Sequence, residues 1–257
     1  MAWAVALLAL PTGSSSGSIG TEAPDRKYEV PTVPWPEPLP PDFVSVKAVG
    51  GAKGDGQTDD TRSIQATVDL YSTCRDPKMN ASASGVTLGP HRCGSERGQI
   101  PCSTVFFPPG VYKITEPIYV GHCEGLVFLG TGATTTIRWG GATDGTMFIS
   151  NGTVFGRWEG IVWDGAYAAK WGVSYNSTHG SLFETRQLHR NCRFSNFLDA
   201  GISVGVTNDG VRGMGKKETA EALVQNCIFE NNFKGVALQD FNDYDWAIDG
   251  CTFINNS

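Results

Sequence analysis

The sequence predicts an all-β chain that winds as a parallel solenoid, because two columns of residues repeat along it. In the first column, short strands carry large apolar residues at alternate positions, which is the period of a strand with one buried face. These strands begin at Pro117, Gly145, Gly172, Gly201 and Gly235, and their starts lie 28, 27, 29 and 34 residues apart. Glycine makes up 32 of the 257 residues, well above the ordinary share of about 7%, as a chain with many sharp turns requires. This spacing predicts about five coils.

The second column marks a turn followed by an inward-facing strand. Its rows begin at Gly125, Gly160, Asn191, Asn226 and Gly250, and each has Phe or Trp at its fourth position. Gly and Asn are the residues that best tolerate a left-handed backbone, so the first position predicts a sharp turn. The second position holds Cys192, Cys227 and Cys251 in the last three rows. We interpret them as buried small side chains, because three stacked thiols cannot all form disulfides.

The chain before the solenoid divides into two segments. Residues 1–20 include an apolar stretch at positions 2–10 that is typical of a signal segment. Residues 21–41 form a proline-rich linker, since eight of the 14 prolines lie within residues 11–41. The solenoid domain then covers residues 42–257, starting with an alternating strand at Phe43. Because the sequence stops partway round a coil, we expect this solenoid to be truncated at its C-terminus.

One short helix is predicted at the start of the domain, over about residues 59–73. Thr58 and the acids that follow it provide an N-cap and a favourable charge for the first turn. Ile64, Val68 and Tyr71 then recur at helical spacing and form one apolar stripe. The segment 74–102, which is rich in small residues and contains three cysteines, is predicted to be a long loop.

Composition restricts the function. The net charge of −6 and the pI near 5.2 argue against a general nucleic-acid binder. No apolar run is long enough for a membrane span. The apolar start agrees with four Asn-x-Ser/Thr glycosylation sequons in predicting a secreted or cell-surface glycoprotein. The sequons lie at Asn80, Asn151, Asn176 and Asn255.

Three motifs resemble a known superfamily. Residues 49–61, with the sequence Val-Gly-Gly-Ala-Lys-Gly-Asp-Gly-Gln-Thr-Asp-Asp-Thr, are similar to the opening signature of pectate-lyase-like β-helix proteins of the rhamnogalacturonase and epimerase type. Residues 107–112 resemble the next landmark, and Asn-Cys-x-Phe-x-Asn resembles the coil pattern. The resemblance covers residues 43–257 and implies a right-handed parallel β-helix, an N-terminal capping helix and a polysaccharide partner. The superfamily contains hydrolases, lyases, epimerases and phage tailspikes, and no family's catalytic residues are found in register.

Candidate site residues follow the ends of the first column of strands. Counting onward from each strand aligns Asn208 with Asn242 and Asp209 with Asp243, while His179 falls in the file of the two asparagines. Stacked coils would place the two aspartates roughly 5 Å apart at the backbone. Two adjacent carboxylates suit glycoside hydrolysis, since the charge of one raises the pKa of the other. Further candidates are Asp240 as a third catalytic acid, and Tyr175 and Tyr244 as residues that stack on sugar rings.

Other interpretations remain open at this stage. The same acids would hold Ca²⁺ if the chain were a uronate lyase, and no other metal or cofactor is indicated. Four arginines would then be available for the substrate, namely Arg186, Arg190, Arg193 and Arg212. The basic stretch 186–217 would attract uronates, or it would simply attract the acidic stretch 218–250. The acids are also ordinary turn residues, which fits a non-catalytic adhesion solenoid. His179 and His189 are expected at the surface or in turns.

Overall fold

The computed structural model describes residues 43–69, 104–121, 125–175, 184–205, 219–239 and 243–257. The predictions for residues 1–20, 21–41 and 74–102 therefore lie outside the described residues. Within the described ranges, almost every element is a short strand, and every strand pairing is parallel.

Three sheets run along the molecule. Sheet A contains β1 (Phe43–Ser45), β3 (Thr104–Phe106), β6 (Val127–Leu129), β9 (Arg157–Glu159), β13 (Leu188–Arg190), β17 (Ala222–Gln225) and β20 (Trp246–Asp249). Sheet B contains β2 (Asp55–Asp59), β4 (Gly110–Ile114), β7 (Thr135–Trp139), β10 (Val162–Asp164), β14 (Arg193–Ser195), β18 (Ile228–Glu230) and β21 (Thr252–Ile254). Sheet C contains β5 (Ile118–Gly121), β8 (Gly145–Asn151), β11 (Ala169–Tyr175), β15 (Ala200–Val204) and β19 (Lys234–Leu238).

The remaining elements are short. Sheet D pairs β12 (Glu184–Thr185) with β16 (Thr219–Ala220), α1 spans Thr61–Asp69, and a 3₁₀ turn spans Gly132–Thr134.

The order of the strands along the chain confirms the parallel β-helix. The chain passes through sheets A, B and C in turn, and each strand pairs with its counterparts in the neighbouring coils. Sheets A and B each have seven strands, so the described part of the chain makes seven coils or part-coils rather than about five. The estimate was low because the first column counts only the strands of sheet C, which has five, whereas the first and last described coils contribute strands to sheets A and B alone.

Stacked aromatic rings fill the interior. Under sheet B, the rings of Trp163, Phe194, Phe229 and Phe253 form one file, with successive centroids 5.8, 5.2 and 5.0 Å apart. This confirms four of the five rows of the second column. The first row was wrong, because Phe128 belongs to sheet A and stacks on Trp158 with the ring centroids 4.3 Å apart.

Two corners of the coil explain that error. Gly125 has a positive φ of 78°, like the residues of the second column, but it lies at the corner before sheet A. The corner between sheets A and B, called the A–B corner, contains Gly160, Asn191, Asn226 and Gly250 with φ between 52° and 61°. Both corners use the same left-handed turn, so a pattern of turn and apolar residues fits either one.

A second correction concerns the first column. Phe148 pairs with Ile118 on one side and with Val173 on the other, so the row that was placed at Gly145 begins two residues later, at Met147. The register of β8 against β11 also changes once, at a bulge between Ala169 and Trp171. With the row starting at Met147, its inward-facing second position holds the large residue Phe148 rather than Thr146.

The three cysteines of the turn column are free thiols, as predicted. Cys192 and Cys227 are buried, whereas Cys251 is partly exposed. Each thiol donates a hydrogen bond to a backbone carbonyl one coil earlier, as shown by the Sγ–O distances of 3.3 Å from Cys192 to Trp158 and 3.6 Å from Cys227 to His189. The thiols therefore link successive coils weakly, in addition to filling space.

Helix α1 caps the start of the solenoid. Ile64 and Val68 are buried as predicted, while Tyr71 lies outside the described residues. The Gln65 side chain behaves like a strand partner, because its Nε2 donates to the Tyr119 carbonyl (3.0 Å) and its Oε1 accepts from the Tyr119 N–H (2.7 Å). The helix thus covers the edge of sheet C and forms hydrogen bonds with its backbone.

The acids of the opening signature hold this cap together. The Asp60 carboxylate accepts hydrogen bonds from the backbone N–H groups of Lys53 (2.7 Å) and Gly54 (2.9 Å). Hydrogen bonds from Thr58 and Gln57 lower the pKa of Asp55 to about 2, so this carboxylate is ionised and fixes its own turn. The carboxylates of Asp55 and Asp60 therefore serve to hold the local backbone in place.

Candidate functional site

Three segments leave sheet C at matching positions. Tyr175, Val204 and Leu238 are cross-strand partners at the ends of β11, β15 and β19. The segments that follow include residues 176–183, 206–218 and 240–242, which lie outside the described residues.

The same segments return to the coil in register. Glu184 pairs with Thr219 in sheet D, and the Glu221 N–H donates to the Tyr244 carbonyl at 3.1 Å. Both ends of each segment therefore lie at the corner between sheets C and A, which we call the C–A corner.

Most of the predicted site residues belong to these segments. Asp209, Asp240, His179, Asn208 and Asn242 lie outside the described residues, so their alignment remains a prediction. Asp243 and Tyr244 are described at the C–A corner, where Asp243 is partly buried and Tyr244 is 54% exposed.

Tyr175 does not have the accessibility that a sugar-stacking residue needs. Its side chain is fully buried, and its hydroxyl lies 2.7 Å from Nε2 of His189 inside the coil. Burial, together with the nearby charge of Glu184, raises the pKa of Tyr175 well above its usual value. The phenol therefore stays protonated and joins sheet C to sheet A across the interior.

His189 also differs from the sequence prediction, because it is neither at the surface nor in a turn. It faces inward from β13, is fully buried, and stacks on Trp158 with an interplanar angle of 6°. Burial lowers the pKa of His189 to about 3, so the imidazole is neutral at neutral pH. Its position in the strand, which alternates Leu188 out and His189 in, could have been recognised only with the correct register of sheet A.

Buried polar residues anchor the segment between β11 and β12. Glu184, which is fully buried, accepts a hydrogen bond from the Gly152 N–H (3.1 Å). Gln187 donates from Nε2 to the carbonyl of Thr153 (2.7 Å). These contacts satisfy polar groups under the C–A corner and hold the ends of the segment in place.

A row of exposed side chains follows the C–A corner through four successive coils. This C–A row consists of Phe155, Arg186, Glu221 and Asp245, and all four have a positive φ, between 54° and 57°. Sequence reasoning missed the row, because only Asp245 is of a type that often marks a left-handed turn.

Specific contacts connect the members of the C–A row. The guanidinium of Arg186 lies 5.2 Å from the centre of the Phe155 ring, and its Nε donates to Oε2 of Glu221 at 3.0 Å. Thr185 donates to the same carboxylate oxygen at 3.0 Å. The bonds from Arg186 and Thr185 lower the pKa of Glu221, so this carboxylate is ionised at neutral pH.

The three described arginines of the basic stretch are engaged in ion pairs. Arg190 forms two bonds of 2.8 Å to Glu159 one coil earlier, while Arg186 and Arg193 pair with Glu221 and Glu230 one coil later. Two of these pairs join the basic stretch to the acidic one, as expected if the two stretches attract each other.

Metal and membrane sites were sought in the described part of the chain. No three His, Cys, Asp or Glu residues within the described ranges are grouped so that they could hold a metal ion. No described helix is long and apolar enough to cross a bilayer.

The fold and its corners define the class of this protein, a parallel β-helix in which three segments leave sheet C at one corner. Residues 43–162 match the family model described as rhamnogalacturonase A/epimerase, pectate lyase-like, which confirms the resemblance of the opening signature. No match was found among the curated proteins.

Solved structures show similar folds. The mannuronan C-5 epimerase AlgE4 A-module of Azotobacter vinelandii is 18% identical with a TM-score of 0.54, and the match covers 82% of this chain and 50% of that one. ORF18 of Geobacillus virus E2 is 21% identical with a TM-score of 0.47, covering 83% and 42%. The GH87 α-1,3-glucanase catalytic unit of Streptomyces thermodiastaticus is 14% identical with a TM-score of 0.40, covering 85% and 41%. The chain thus spans half or less of these structures, and the likeness to the epimerase module supports the fold.

Proposed function

We propose that this chain is an extracellular polysaccharide-processing protein and that its reaction is glycoside hydrolysis at the C–A corner. The observation that carries the proposal is the register of Tyr175, Val204 and Leu238, because it makes the segment of His179 and two acid-containing segments start at one edge. The family matched over residues 43–162 is named after a rhamnogalacturonase, an epimerase and a pectate lyase, which supports a polysaccharide substrate.

Hydrolysis needs two carboxyl groups in different protonation states. One must stay protonated to donate to the leaving oxygen, and the other must be ionised to act as nucleophile or base. We assign these roles to the predicted pair Asp209 and Asp243, with Asp240 nearby. Glu221 is unsuited to the donor role because its pKa is lowered by Arg186, but it can accept hydrogen bonds from sugar hydroxyls.

The ion pairs favour hydrolysis over uronate lyase chemistry. A lyase needs cations free to bind the substrate carboxylate, yet Arg186, Arg190 and Arg193 each already pair with a glutamate. Arg212 lies outside the described residues. The two alternatives are a Ca²⁺-dependent lyase and a non-catalytic adhesin. The experiment below distinguishes both from a hydrolase.

The experiment compares the wild type with Asp209→Asn, Asp243→Asn and the double variant on a panel of plant and microbial polysaccharides. New reducing ends measure cleavage, and ultraviolet absorbance measures the unsaturated products of a lyase. Positioned acids and bases typically contribute 10²–10⁴-fold, so we expect each single variant to lose roughly 100-fold or more. The control is Glu230→Gln, which removes a carboxylate from sheet B, away from the C–A corner.

Four results have different meanings. Full activity in the double variant would exclude the two aspartates. Unsaturated products that disappear with a chelator would replace hydrolysis by a Ca²⁺-dependent lyase. Binding without any cleavage by the wild type would identify an adhesin, and neither binding nor cleavage would contradict the proposal as a whole.

A further inference from the structure

Two thiols at the A–B corner lie close enough for a covalent bond. Ile228 pairs with Thr252, so the cysteines directly before them, Cys227 and Cys251, lie side by side on neighbouring coils. The Thr252 N–H donates to the Cys227 carbonyl at 2.9 Å, which holds the two backbones one strand spacing apart, about 4.8 Å. Because a disulfide needs Cα atoms roughly 4.4–6.8 Å apart, this register allows the bond without moving the backbone.

The Cys251 sulfur points towards the coil of Cys227. It accepts a hydrogen bond from the Cys227 N–H at 3.4 Å and donates to the Val224 carbonyl at 3.3 Å. The Cys227 sulfur donates to the His189 carbonyl, one coil earlier, at 3.6 Å, and such a bond is weak. Since χ1 alone places the sulfur of a cysteine, one rotation between staggered rotamers breaks this contact and turns the Cys227 sulfur towards Cys251.

Exposure decides which thiol reacts first. Cys251 is partly exposed, whereas Cys192 and Cys227 are buried. The hydrogen bond with the Cys227 side chain lowers the pKa of Cys251 to about 7, so much of this side chain is thiolate at neutral pH. The hydrogen bonds with Cys192 and Cys251 raise the pKa of Cys227, so this thiol stays protonated as long as Cys251 is unmodified. A soluble disulfide therefore meets the Cys251 thiolate.

We infer that Cys251 and Cys227 form a disulfide between neighbouring coils, with a small disulfide such as glutathione disulfide as the oxidant. In the first step, the Cys251 thiolate attacks one sulfur of the small disulfide, which forms a mixed disulfide and releases a thiolate. This step also removes the Cys251 hydrogen bond that raises the pKa of Cys227. In the second step, the released thiolate takes the Cys227 proton, and the Cys227 thiolate attacks the Cys251 sulfur and displaces the second small thiolate. The two cysteines lose two electrons, and the small disulfide is reduced to one thiol and one thiolate.

The bond closes one coil into a covalent loop. Its two cysteines are 24 residues apart, and closing this loop restricts the unfolded chain. Cys192 keeps its buried thiol, because the bond uses the other two members of the file. The inference goes beyond the proposed function and does not depend on it, since both cysteines lie at the A–B corner rather than at the C–A corner.

Peptide mapping tests the bond directly. The reduced full chain is incubated with glutathione disulfide and digested with trypsin without reduction. Cleavage at Lys217 and Lys234 places Cys227 and Cys251 in different peptides, so mass spectrometry identifies the cross-link. We expect a cross-linked pair of these two peptides that disappears on reduction. The matched control Cys192→Ala should form the same pair.

Two variants separate the steps of the reaction. In Cys227→Ala, the mixed disulfide at Cys251 should accumulate, because no second thiol displaces the small thiol. Cys251→Ser should give neither product at these positions. Thermal unfolding measures the effect of the closed loop, and we expect the oxidised wild type to melt roughly 5 °C above identically treated Cys251→Ser.

Several results would overturn the inference. A cross-link between Cys192 and Cys227 would refute the assigned pair. A mixed disulfide that persists on Cys251 in the wild type would refute the second step, and an unmodified Cys251 would refute the first. Cross-linking that occurs only in urea would show that the native coils keep the two sulfurs apart. These results come from the wild type, so they hold whether or not a variant folds. Polysaccharide cleavage by the reduced chain is recorded separately, so a failed cross-link leaves the proposed function untouched.

Discussion

The aromatic file under sheet B allows a graded test of what holds the solenoid together. Phe194 is fully buried, and its ring stacks between Trp163 at 5.8 Å and Phe229 at 5.2 Å. Phe253 has the same place in its coil, but it is 50% exposed and stacks only on Phe229. The two phenylalanines therefore form a matched pair that differs in burial and in the number of stacked neighbours.

Truncation to alanine should have unequal effects on this pair. A buried Phe→Ala change typically costs about 3–5 kcal/mol, which includes the cavity that remains. Phe194→Ala should therefore lower the free energy of unfolding by about 4 kcal/mol. Phe253→Ala removes roughly half of the burial and one stacking contact, so we expect a loss of about 1.5 kcal/mol.

Equilibrium urea unfolding followed by far-ultraviolet circular dichroism measures both losses. Phe194→Leu, which keeps most of the apolar volume, should cost less than about 1.5 kcal/mol and tests whether volume dominates. The slopes of the free energy against urea must agree among variants for the comparison to hold. A loss in Phe253→Ala equal to that in Phe194→Ala would refute burial as the cause.

Three further predictions concern single residues. The folded-state pKa of His189 is about 3, below the unfolded value of 6.5, so the unfolded state binds the extra proton between these pH values and stability falls as the pH drops through them. This loss is at most about 5 kcal/mol. Urea unfolding at pH 7, 5 and 4 should show that the free energy of unfolding depends less on pH in His189→Gln than in the wild type. The same pH dependence in both proteins would contradict a neutral buried imidazole. A hydrogen bond with the Cys227 side chain lowers the pKa of Cys251 to about 7. Iodoacetamide at pH 7.5 should therefore label Cys251 before the buried Cys192, which peptide mass spectrometry can check. Gln65→Ala removes two hydrogen bonds to the backbone of Tyr119 and should cost about 2 kcal/mol in urea unfolding, whereas exposed Arg62→Ala should change little.

The stacking of the coils followed from local patterns. Gly or Asn at each A–B turn and an aromatic residue three positions later were enough to predict the order Trp163, Phe194, Phe229 and Phe253. They were enough because turn conformation and strand alternation are properties of neighbouring residues. The capping helix was predictable from its apolar stripe, but the predicted N-cap was wrong, because Thr58 lies in β2 and α1 begins at Thr61 without an acid in its first turn.

The register of the less regular coils did not follow from those patterns. Phe128 was placed in the wrong sheet because two corners share one turn conformation, and β8 was misaligned by two residues because Gly145 resembles the glycines that begin three other rows. His189 was interpreted as a surface residue for a related cause, since the direction of a side chain depends on which alternate position faces inward.

The sequence alone thus determined that this chain is a parallel β-helix with an N-terminal cap, resembling pectate-lyase-like proteins. The tertiary structure alone decided which side chains meet at the C–A corner. Phe155, Arg186, Glu221 and Asp245 are 31, 35 and 24 residues apart in succession and share no residue type. They form one row only because parallel pairing places equivalent positions of successive coils one strand spacing apart.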